Sequence, residues 1–460
     1  MTTGVDIQGG FAGDFERLRG GLAGAGGGAA TAWLDELRRG AMEAFAAGGL
    51  PTVRNEDWKY TNVLPALRDR LSPVLAAELR VDEAALRAML GRVAGLAPDS
   101  ALLVFVDGNF FAAASRLAAA KGLKLGSLRE RLDTDPATLQ PWLGKFLPAS
   151  VHGFAALNTA FLDDGAVIEI ADGAILESPV HVVHVSTKRV EPFVSHPRHV
   201  IVAGAGSSAM VVEHYLGMEG ARYLTNAASE VFLGRGAVLG HLRVQDESKA
   251  ACHIARVQVE QAAGSSFVSH ALGFGAAISR TEIALRLAGE EAECSLSGLY
   301  AVDGSRHIDH HLMVDHASPR TRSRQLYKGV LDNSSRGVFT GRVVIRPGAQ
   351  KIKAVQNNPS LLLARGAVSE TRPQLEIYAD DVACNHGATI GRLSEDAMFY
   401  LLSRGIEPRE ARRLLVQGFA AEVVETLVPD ALRTAFTDLV GARMGELGQA
   451  GNSAAEGGRS

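Results

Sequence analysis

Apolar residues recur at helical spacing in the first third of the chain. Over roughly residues 1–160, positions such as Leu34, Leu37, Ala41 and Phe45 follow one another three or four residues apart. That spacing predicts a helix with one buried face. We therefore predict that residues 1–160 form a mainly helical domain.

Two local signals refine this first region. Asp82 precedes apolar positions at helical spacing that begin at Leu86. It is predicted to cap a helix, because its side chain can accept a hydrogen bond from a free backbone N–H of the first turn. The β-rich run 101–111 contains Asp107-Gly108, a dipeptide typical of a hairpin turn.

The pattern changes over residues 161–392, where short alternating runs replace the helical spacing. Three of these runs open with a glycine, at Gly206, Gly236 and Gly264, about 28–30 residues apart. Short strands with small turn residues and no intervening helices favour a stacked solenoid. A jelly roll or a cupin-like double sheet remains the alternative, since many short strands with glycine turns produce a similar pattern.

Helical spacing returns over residues 393–447. Ser394 is predicted to cap the first of these helices, and Gly405 sits where a helix-ending glycine belongs. Pro408 is placed for the first turn of a second helix, and a third is predicted to open at Pro429-Asp430. Residues 448–460 are polar and glycine-rich, and this tail is predicted to be disordered.

Composition and charge exclude several classes of protein. The formal net charge of −4 and the isoelectric point near 6.4 argue against a nucleic-acid-binding protein. No apolar run reaches the roughly 18–20 residues that span a bilayer, and residues 1–10 do not have the pattern of a signal peptide. A cytoplasmic protein is expected, and three cysteines fit that reducing compartment.

Histidines suggest one possible metal site. The densest group contains His307, His310 and His316 together with Asp309, and a metal could use such donors. A cupin-like mononuclear metal protein is therefore one alternative function. Against it, adjacent residues on a strand point to opposite faces, so that His310 and its neighbour His311 do not easily share one metal.

A second candidate is the pair Cys384 and His386. On a strand, residues two apart share a face and lie about 7 Å apart. Thiolate and imidazole are both good iron ligands. Two donors cannot fill the coordination of an iron–sulfur cluster, so that a cluster site here needs ligands from another chain. No Gly-x-x-x-x-Gly-Lys-Ser/Thr motif occurs in the sequence, which argues that the chain does not hydrolyse ATP itself.

Several specific motifs lie in the C-terminal third, and one lies near the N-terminus. In combination they resemble the SufB/SufD family, the scaffold subunits of the SUF iron–sulfur cluster assembly system. The motifs cover residues 56–61, 325–329, 338–341, 349–351, 354–358, 375–382, 384–389, 399–401 and 403–406.

The resemblance is to SufD more than to SufB. SufB typically has Glu-His-Glu-Ala-Thr where this chain has Asn385-His386-Gly387-Ala388-Thr389, and the motif around Trp58 is typical of SufD. A SufB-like paralogue remains the alternative within the family. From composition alone, Trp58 is more simply an aromatic anchor at a domain edge.

The resemblance implies a mainly β fold with α caps. A right-handed parallel β-helix is expected between N-terminal and C-terminal helical domains. It also implies a SufB–SufD heterodimer formed through the β-helix, with the SufC ATPase docked on the C-terminal helices. The expected partner-binding residues are Phe399, Tyr400, Arg404, Leu414, Leu415, Phe419 and Val423.

The resemblance also assigns roles at the candidate site. His386 matches the SufD histidine at the heterodimer interface, where it is thought to complete a nascent cluster with a SufB cysteine, and Cys384 matches the family cysteine two positions earlier. The cluster would be transient and shared with SufB, reduced flavin is associated with the complex, and no cofactor is expected to bind tightly to the isolated chain. The isolated chain could form a homodimer.

One rival function comes from a different class. Polysaccharide lyases and esterases also use β-helices, but they need a base or clustered carboxylates on one exposed face and usually a secretion signal. Asp380-Asp381 is a weak candidate for that role. The expected function is therefore a non-catalytic scaffold.

Overall fold

The computed structural model describes residues 7–22, 32–117, 120–427 and 430–447. The α-helices within these ranges are α1 (Ile7–Leu22), α2 (Ala32–Gly48), α3 (Glu83–Leu90), α4 (Leu128–Thr134), α5 (Gly153–Ala160), α6 (Glu395–Ser403), α7 (Pro408–Glu425) and α8 (Asp430–Glu446). The strands are β1 (Ser72–Pro73), β2 (Ala101–Val106), β3 (Asn109–Phe110), β4 (Leu123–Ser127), β5 (Ala166–Ile170), β6 (Val180–Ser186), β7 (Phe193–Ser195), β8 (Arg198–Ala203), β9 (Ser208–Gly217), β10 (Tyr223–Leu233), β11 (Val238–Asp246), β12 (Cys252–Gln261), β13 (Ser266–Gly273), β14 (Ile278–Leu287), β15 (Glu293–Val302), β16 (His307–His316), β17 (Arg322–Leu331), β18 (Arg336–Ile345), β19 (Ile352–Leu362), β20 (Val368–Ile377) and β21 (Val382–Gly391).

The strands wind into a parallel β-helix of about eight turns. The first sheet runs in the order β20-β18-β16-β14-β12-β10-β8-β5, and the second runs β21-β19-β17-β15-β13-β11-β9-β6-β2. Each rung therefore contributes one strand to each sheet, and every neighbour along these two paths is parallel. This topology confirms the solenoid and excludes the jelly-roll and cupin-like alternatives, whose sheets are antiparallel.

One corner of the solenoid repeats a left-handed residue at each turn. Gly206, Gly236 and Gly264 have φ values of 65°, 68° and 66°, and the same corner continues with Glu291 and Arg320 at 61° and 58°. The N–H of each corner residue bonds to the carbonyl of the residue just before the next corner, as from Gly206 to Arg235 at 2.8 Å. Glycine adopts this conformation without strain, whereas side chains disfavour it. The glycine repeat in the sequence ends at Gly264 because the next corners have the same backbone conformation at residues other than glycine.

The core lies inside the solenoid, and helices pack against its outer surface. Inward-facing apolar side chains from both sheets form one continuous cluster, exemplified by Leu239, Leu296 and Ile308. On the outside, α7 and α8 cover the second sheet, where Val416 and Phe436 pack against the strands. No helix within the described ranges is both long and apolar enough to cross a membrane.

Trp58 is a buried anchor for the N-terminal region. Its side chain is 2% exposed, and its ring stacks on Phe154 with centroids 5.5 Å apart. The Arg280 guanidinium, which comes from β14, lies 4.0 Å from the indole centroid. The residue thus joins the N-terminal segment to the outer face of the first sheet, as expected for a domain-edge anchor.

Most local predictions for the first region are confirmed. The predicted helix containing Phe45 is α2, the Asp82 carboxylate accepts from the backbone of Ala84 at 3.0 Å, and Asp107-Gly108 turns the hairpin between β2 and β3. The region is less helical than predicted, however. Strand β2 pairs with β6, and its apolar run is fully buried in the second sheet. Strand β4 pairs with β5.

The C-terminal helices also begin and end where the sequence predicts. The Ser394 hydroxyl accepts from the backbone of Ala397 at 3.2 Å, Gly405 has a φ of 80°, and Pro408 is the first residue of α7. Helix α8 begins at Asp430, while Pro429 lies outside the described residues. The predicted tail 448–460 also lies outside them.

Candidate functional site

The C-terminal end of the solenoid leaves two strands with a partner on one side only. Strands β20 and β21 are the last members of their sheets, and they pair with β18 and β19 respectively. An edge strand presents backbone N–H and C=O groups that another chain can pair with. This edge is consequently the part of the solenoid best suited to receive a second protein.

Cys384 and His386 both lie on β21 and face the solenoid axis. Cys384 is in register with Ala354, which is buried in the core, and it packs against that cluster. His386 is in register with Gln356, whose side chain is also buried. The spacing of two residues on one strand places their side chains on the same face, about 7 Å apart.

The two donors differ in how ready they are to bind a metal. Burial raises the pKa of the Cys384 thiol, and a backbone hydrogen bond from Ala354 offsets part of that effect. Because the thiolate is the metal-binding form, Cys384 must lose a proton before it can act as a ligand. The His386 side chain is exposed, and within the described ranges it has no hydrogen-bond or ion-pair partner. A neutral imidazole needs only a free lone pair to bind iron.

Native alkylation is expected to modify Cys384 and to spare the other two cysteines. Cys252 and Cys294 are buried, and burial raises the pKa of Cys252 to about 12, from an ordinary value of 9.0. The thiolate fraction of Cys252 is then lower by about a thousandfold. Iodoacetamide followed by peptide mass spectrometry should find adducts at Cys384, formed more slowly at pH 7 than those of a free thiol and faster at pH 9. Comparable labelling of Cys252 or Cys294 would contradict this reading of the burial.

The histidines of the group at 307–316 are dispersed in the structure, and each of the three expected metal ligands has other neighbours. His307 bonds to the Thr61 hydroxyl at 2.9 Å, and His316 bonds to the hydroxyls of Thr321 and Ser323. His310 is buried between the rings of Tyr300 and Tyr327. Among the described residues, no group of three or more His, Cys, Asp or Glu side chains is close enough to hold a metal.

His310 and His311 point to opposite faces of β16, as the strand geometry predicts. His310 faces the interior, whereas His311 Nδ1 lies 3.0 Å from an Arg280 nitrogen on the outer face. His311 there lines a cleft of about 390 Å³ beside Trp58. Glu282 in this cleft is already paired with His152 at 3.0 Å and with Arg256 at 2.6 Å. The cleft was not found from the sequence, because its residues come from distant segments.

The C-terminal helices carry an exposed apolar surface. Phe399 and Tyr400 on α6 are 73% and 57% exposed, and Leu414 on α7 is 39% exposed. Arg404 is exposed and lies 5.2 Å from the Tyr400 ring centroid. Large exposed aromatic side chains are typical of surfaces that bind another protein. We call Phe399, Tyr400, Arg404 and Leu414 the α6–α7 surface.

Three residues expected to bind a partner lie partly or wholly inside. Val423 has no exposed surface and packs against the second sheet, so the expectation that it contacts a partner is corrected. Leu415 is half-buried. Phe419 is also half-buried, and the Lys328 ammonium lies 4.7 Å from its ring centroid. The helical spacing of apolar residues in α7 does not by itself show which of them pack against the second sheet and which are exposed.

Comparisons with known proteins identify relatives along nearly the whole chain. The family model for the SufBD core domain of SUF system FeS cluster assembly matches residues 184–419, and the model for the SufBD protein N-terminal region matches residues 28–182.

Three relatives illustrate the range of similarity. The iron–sulfur cluster assembly protein SufD of Escherichia coli is 29% identical, over 88% of this chain and 91% of that protein. An iron–sulfur cluster assembly SufBD family protein of Synechocystis is also 29% identical, over 86% and 87%. The chloroplastic protein ABCI7 of Arabidopsis thaliana is 34% identical over 59% of each chain.

Proposed function

Because the chain belongs to the SufB/SufD family of iron–sulfur cluster assembly proteins, we propose that it is the SufD-type scaffold subunit of a complex with SufB and SufC. It pairs with SufB through the edge strands β20 and β21. The observation that carries this proposal is the position of His386 on an edge strand, facing the solenoid axis with its ring exposed.

The donor chemistry supports a site completed by the partner. An iron–sulfur cluster, which here is the product under construction, is usually held by several thiolates with occasional imidazoles. This chain offers one imidazole at His386 and one thiol at Cys384, and the pKa of that thiol is raised by burial. His386 is therefore the preferred ligand, Cys384 is secondary, and SufB supplies the remaining donors.

We assign the chain no catalytic step of its own. SufC hydrolyses ATP, and α6 and α7 transmit the resulting movement to the scaffold. This proposal places no residue of the chain at a reduced flavin, which the family resemblance associates with the complex. A cytoplasmic location stays a prediction from the sequence.

Co-purification tests the proposed assembly. A tagged chain co-expressed with SufB-type and SufC-type partners is expected to retain both at fixed stoichiometry. If the isolated chain is a monomer, it is expected to bind SufB directly. If it is a homodimer, SufB is expected to displace one of the two copies. Recovery of the chain without either partner would contradict the proposed complex.

The α6–α7 surface predicts where SufC docks. Phe399→Ala is expected to weaken SufC binding by at least about fivefold, since truncating an interface anchor typically costs at least ~1 kcal/mol. Folding should not suffer, because the side chain is 73% exposed. The matched control is Ile175→Ala, which truncates a 72% exposed apolar side chain outside the C-terminal helices. Equal SufC affinity of both variants in titration calorimetry would count against this docking surface.

A further inference from the structure

A column of inward-facing residues runs along the second sheet and ends at His386. Parallel strands stack equivalent positions about 4.8 Å apart, so each member of the column is the in-register neighbour of the next. The column begins with the apolar residues Ala101, Val180 and Val211. Five of its last six members are polar, which is unusual inside a solenoid with an apolar core. These six are His241, Ser269, Leu296, Gln325, Gln356 and His386.

Gln356 is the member adjacent to His386, and its side chain is fixed in place. It has no exposed surface, and its Nε2 donates to Gln325 Oε1 at 2.7 Å. On the other side of the solenoid interior, a Cβ at Gly341 would overlap the same nitrogen. Gly341 thus leaves the room that the Gln356 amide occupies.

The amide oxygen of Gln356 has no partner. Among the described residues, Oε1 is buried without a hydrogen bond. A buried acceptor without a hydrogen bond destabilises the folded chain, so a donor is expected near it. The next residue in the column is His386, whose ring can carry an N–H on either nitrogen. In-register side chains on adjacent strands are close enough to form such a bond.

We propose that Gln356 is a positioning residue, whose Oε1 accepts the ring N–H of His386 and thereby fixes the tautomer and orientation of the imidazole. The other ring nitrogen then keeps its lone pair directed toward the open end of the solenoid. Metal-binding histidines commonly donate their second N–H to an oxygen acceptor in this way. The inference rests on the proposed role of His386 as an iron ligand.

The hydrogen bond has a direct spectroscopic test in the isolated chain. Long-range ¹H–¹⁵N correlation spectra of ¹⁵N-histidine-labelled protein report which ring nitrogen carries the hydrogen, and His386→Asn identifies the signal. Gln356→Met keeps the side-chain length but removes the acceptor. It is expected to shift the His386 tautomer ratio by roughly five- to tenfold, which is the effect of a hydrogen bond of about 1–1.4 kcal/mol. An unchanged ratio would overturn the positioning role.

The matched control is Gln325→Met. It breaks the same amide–amide bond one rung further in, about 9.6 Å from His386 and out of contact with its ring. The tautomer ratio should stay within about twofold of wild type in this variant. An equal shift in both variants would indicate general disturbance of the interior and would also overturn the proposal. Gln356→Asn, with a shorter side chain that cannot span the gap, replaces Gln356→Met if that variant fails to fold.

Cluster assembly in the complex separates this inference from the proposed function. Gln356→Met is expected to lower cluster content by about tenfold, as other residues that orient metal ligands do, and Gln325→Met by less than about twofold. Loss of the cluster in His386→Ala together with full retention in Gln356→Met would sink the positioning role alone. Full retention in His386→Ala would instead contradict the proposed function, and the tautomer spectra would still decide the contact.

Discussion

Replacing His386 with alanine is expected to reduce the cluster content of the co-expressed complex to less than about a tenth of wild type. The variant removes a ligand that no other described residue can replace, since the remaining donor, Cys384, has a thiol pKa raised by burial and must lose a proton before it binds iron. Assembly should remain intact because the His386 side chain is exposed and makes no contact that holds the strand. Iron and acid-labile sulfide per complex measure the effect.

Two neighbours on the same strand provide controls. Asn385→Ala alters an exposed side chain on the opposite face of β21, and cluster content should stay near wild type. Cys384→Ser should cause a smaller loss than His386→Ala, because the proposal makes the thiol secondary. A larger loss in Cys384→Ser would transfer the principal role from the imidazole to the thiol.

Acidification is expected to unfold the chain between about pH 6 and pH 4. Burial lowers the pKa of many histidines far below the ordinary value of 6.5, so that the folded chain binds fewer protons than the unfolded chain. Stability is therefore fully present above pH 6.5 and is lost as the pH falls toward the folded pKa values. Those values are about 4 for His181, His270, His310 and His316, and about 3 for His196 and His214.

The free energy of unfolding that is lost on acidification is comparable to the whole stability of a domain. Each such imidazole costs roughly 2 kcal/mol by pH 5, or on the order of 10 kcal/mol for the group, against a typical total of about 5–15 kcal/mol. Burial also raises the pKa of three carboxyl groups, Asp107, Asp164 and Glu260, which opposes the loss, but they are fewer than the six histidines. Urea titrations followed by circular dichroism at a series of pH values measure the free energy of unfolding.

One variant tests the source of this pH dependence. His214 is buried against His181, with ring centroids 5.5 Å apart. Removing its titration with His214→Asn should reduce the slope of stability against pH by about 1.4 kcal/mol per pH unit. A stability that stays constant from pH 7 to pH 5 would show that these histidines are not held neutral in the folded chain.

The repeat of the solenoid could be predicted from the sequence only where its corner residues are glycines. Gly206, Gly236 and Gly264 made three successive corners visible as a repeat. The next corners place Glu291 and Arg320 in the same left-handed conformation, at φ of 61° and 58°. No sequence pattern marks a side chain that is held in this region by the hydrogen bonds of its neighbours. The number of rungs therefore had to come from strand pairing.

At the candidate site, too, the sequence predicts the relation between neighbouring residues but not the contacts between distant segments. A spacing of two residues on a strand was sufficient to place Cys384 and His386 on one face. The burial of Val423 depends on which side of α7 meets the second sheet, and helical spacing does not specify that contact. The relation of Gln356 to His386 also lies beyond the local pattern, because thirty residues separate them in the chain and only the strand register brings them together.

Anaerobic reconstitution of the separated subunits tests the shared site most directly. The chain, the SufB-type partner and their equimolar mixture are each supplied with ferrous iron and sulfide, and the visible absorbance of the cluster is recorded after gel filtration. The account predicts a stable cluster in the heterodimer fraction of the mixture, none on the chain alone, and loss of that cluster when the chain carries His386→Ala. A stoichiometric cluster on the isolated chain, or an unchanged cluster in the His386→Ala heterodimer, would contradict it.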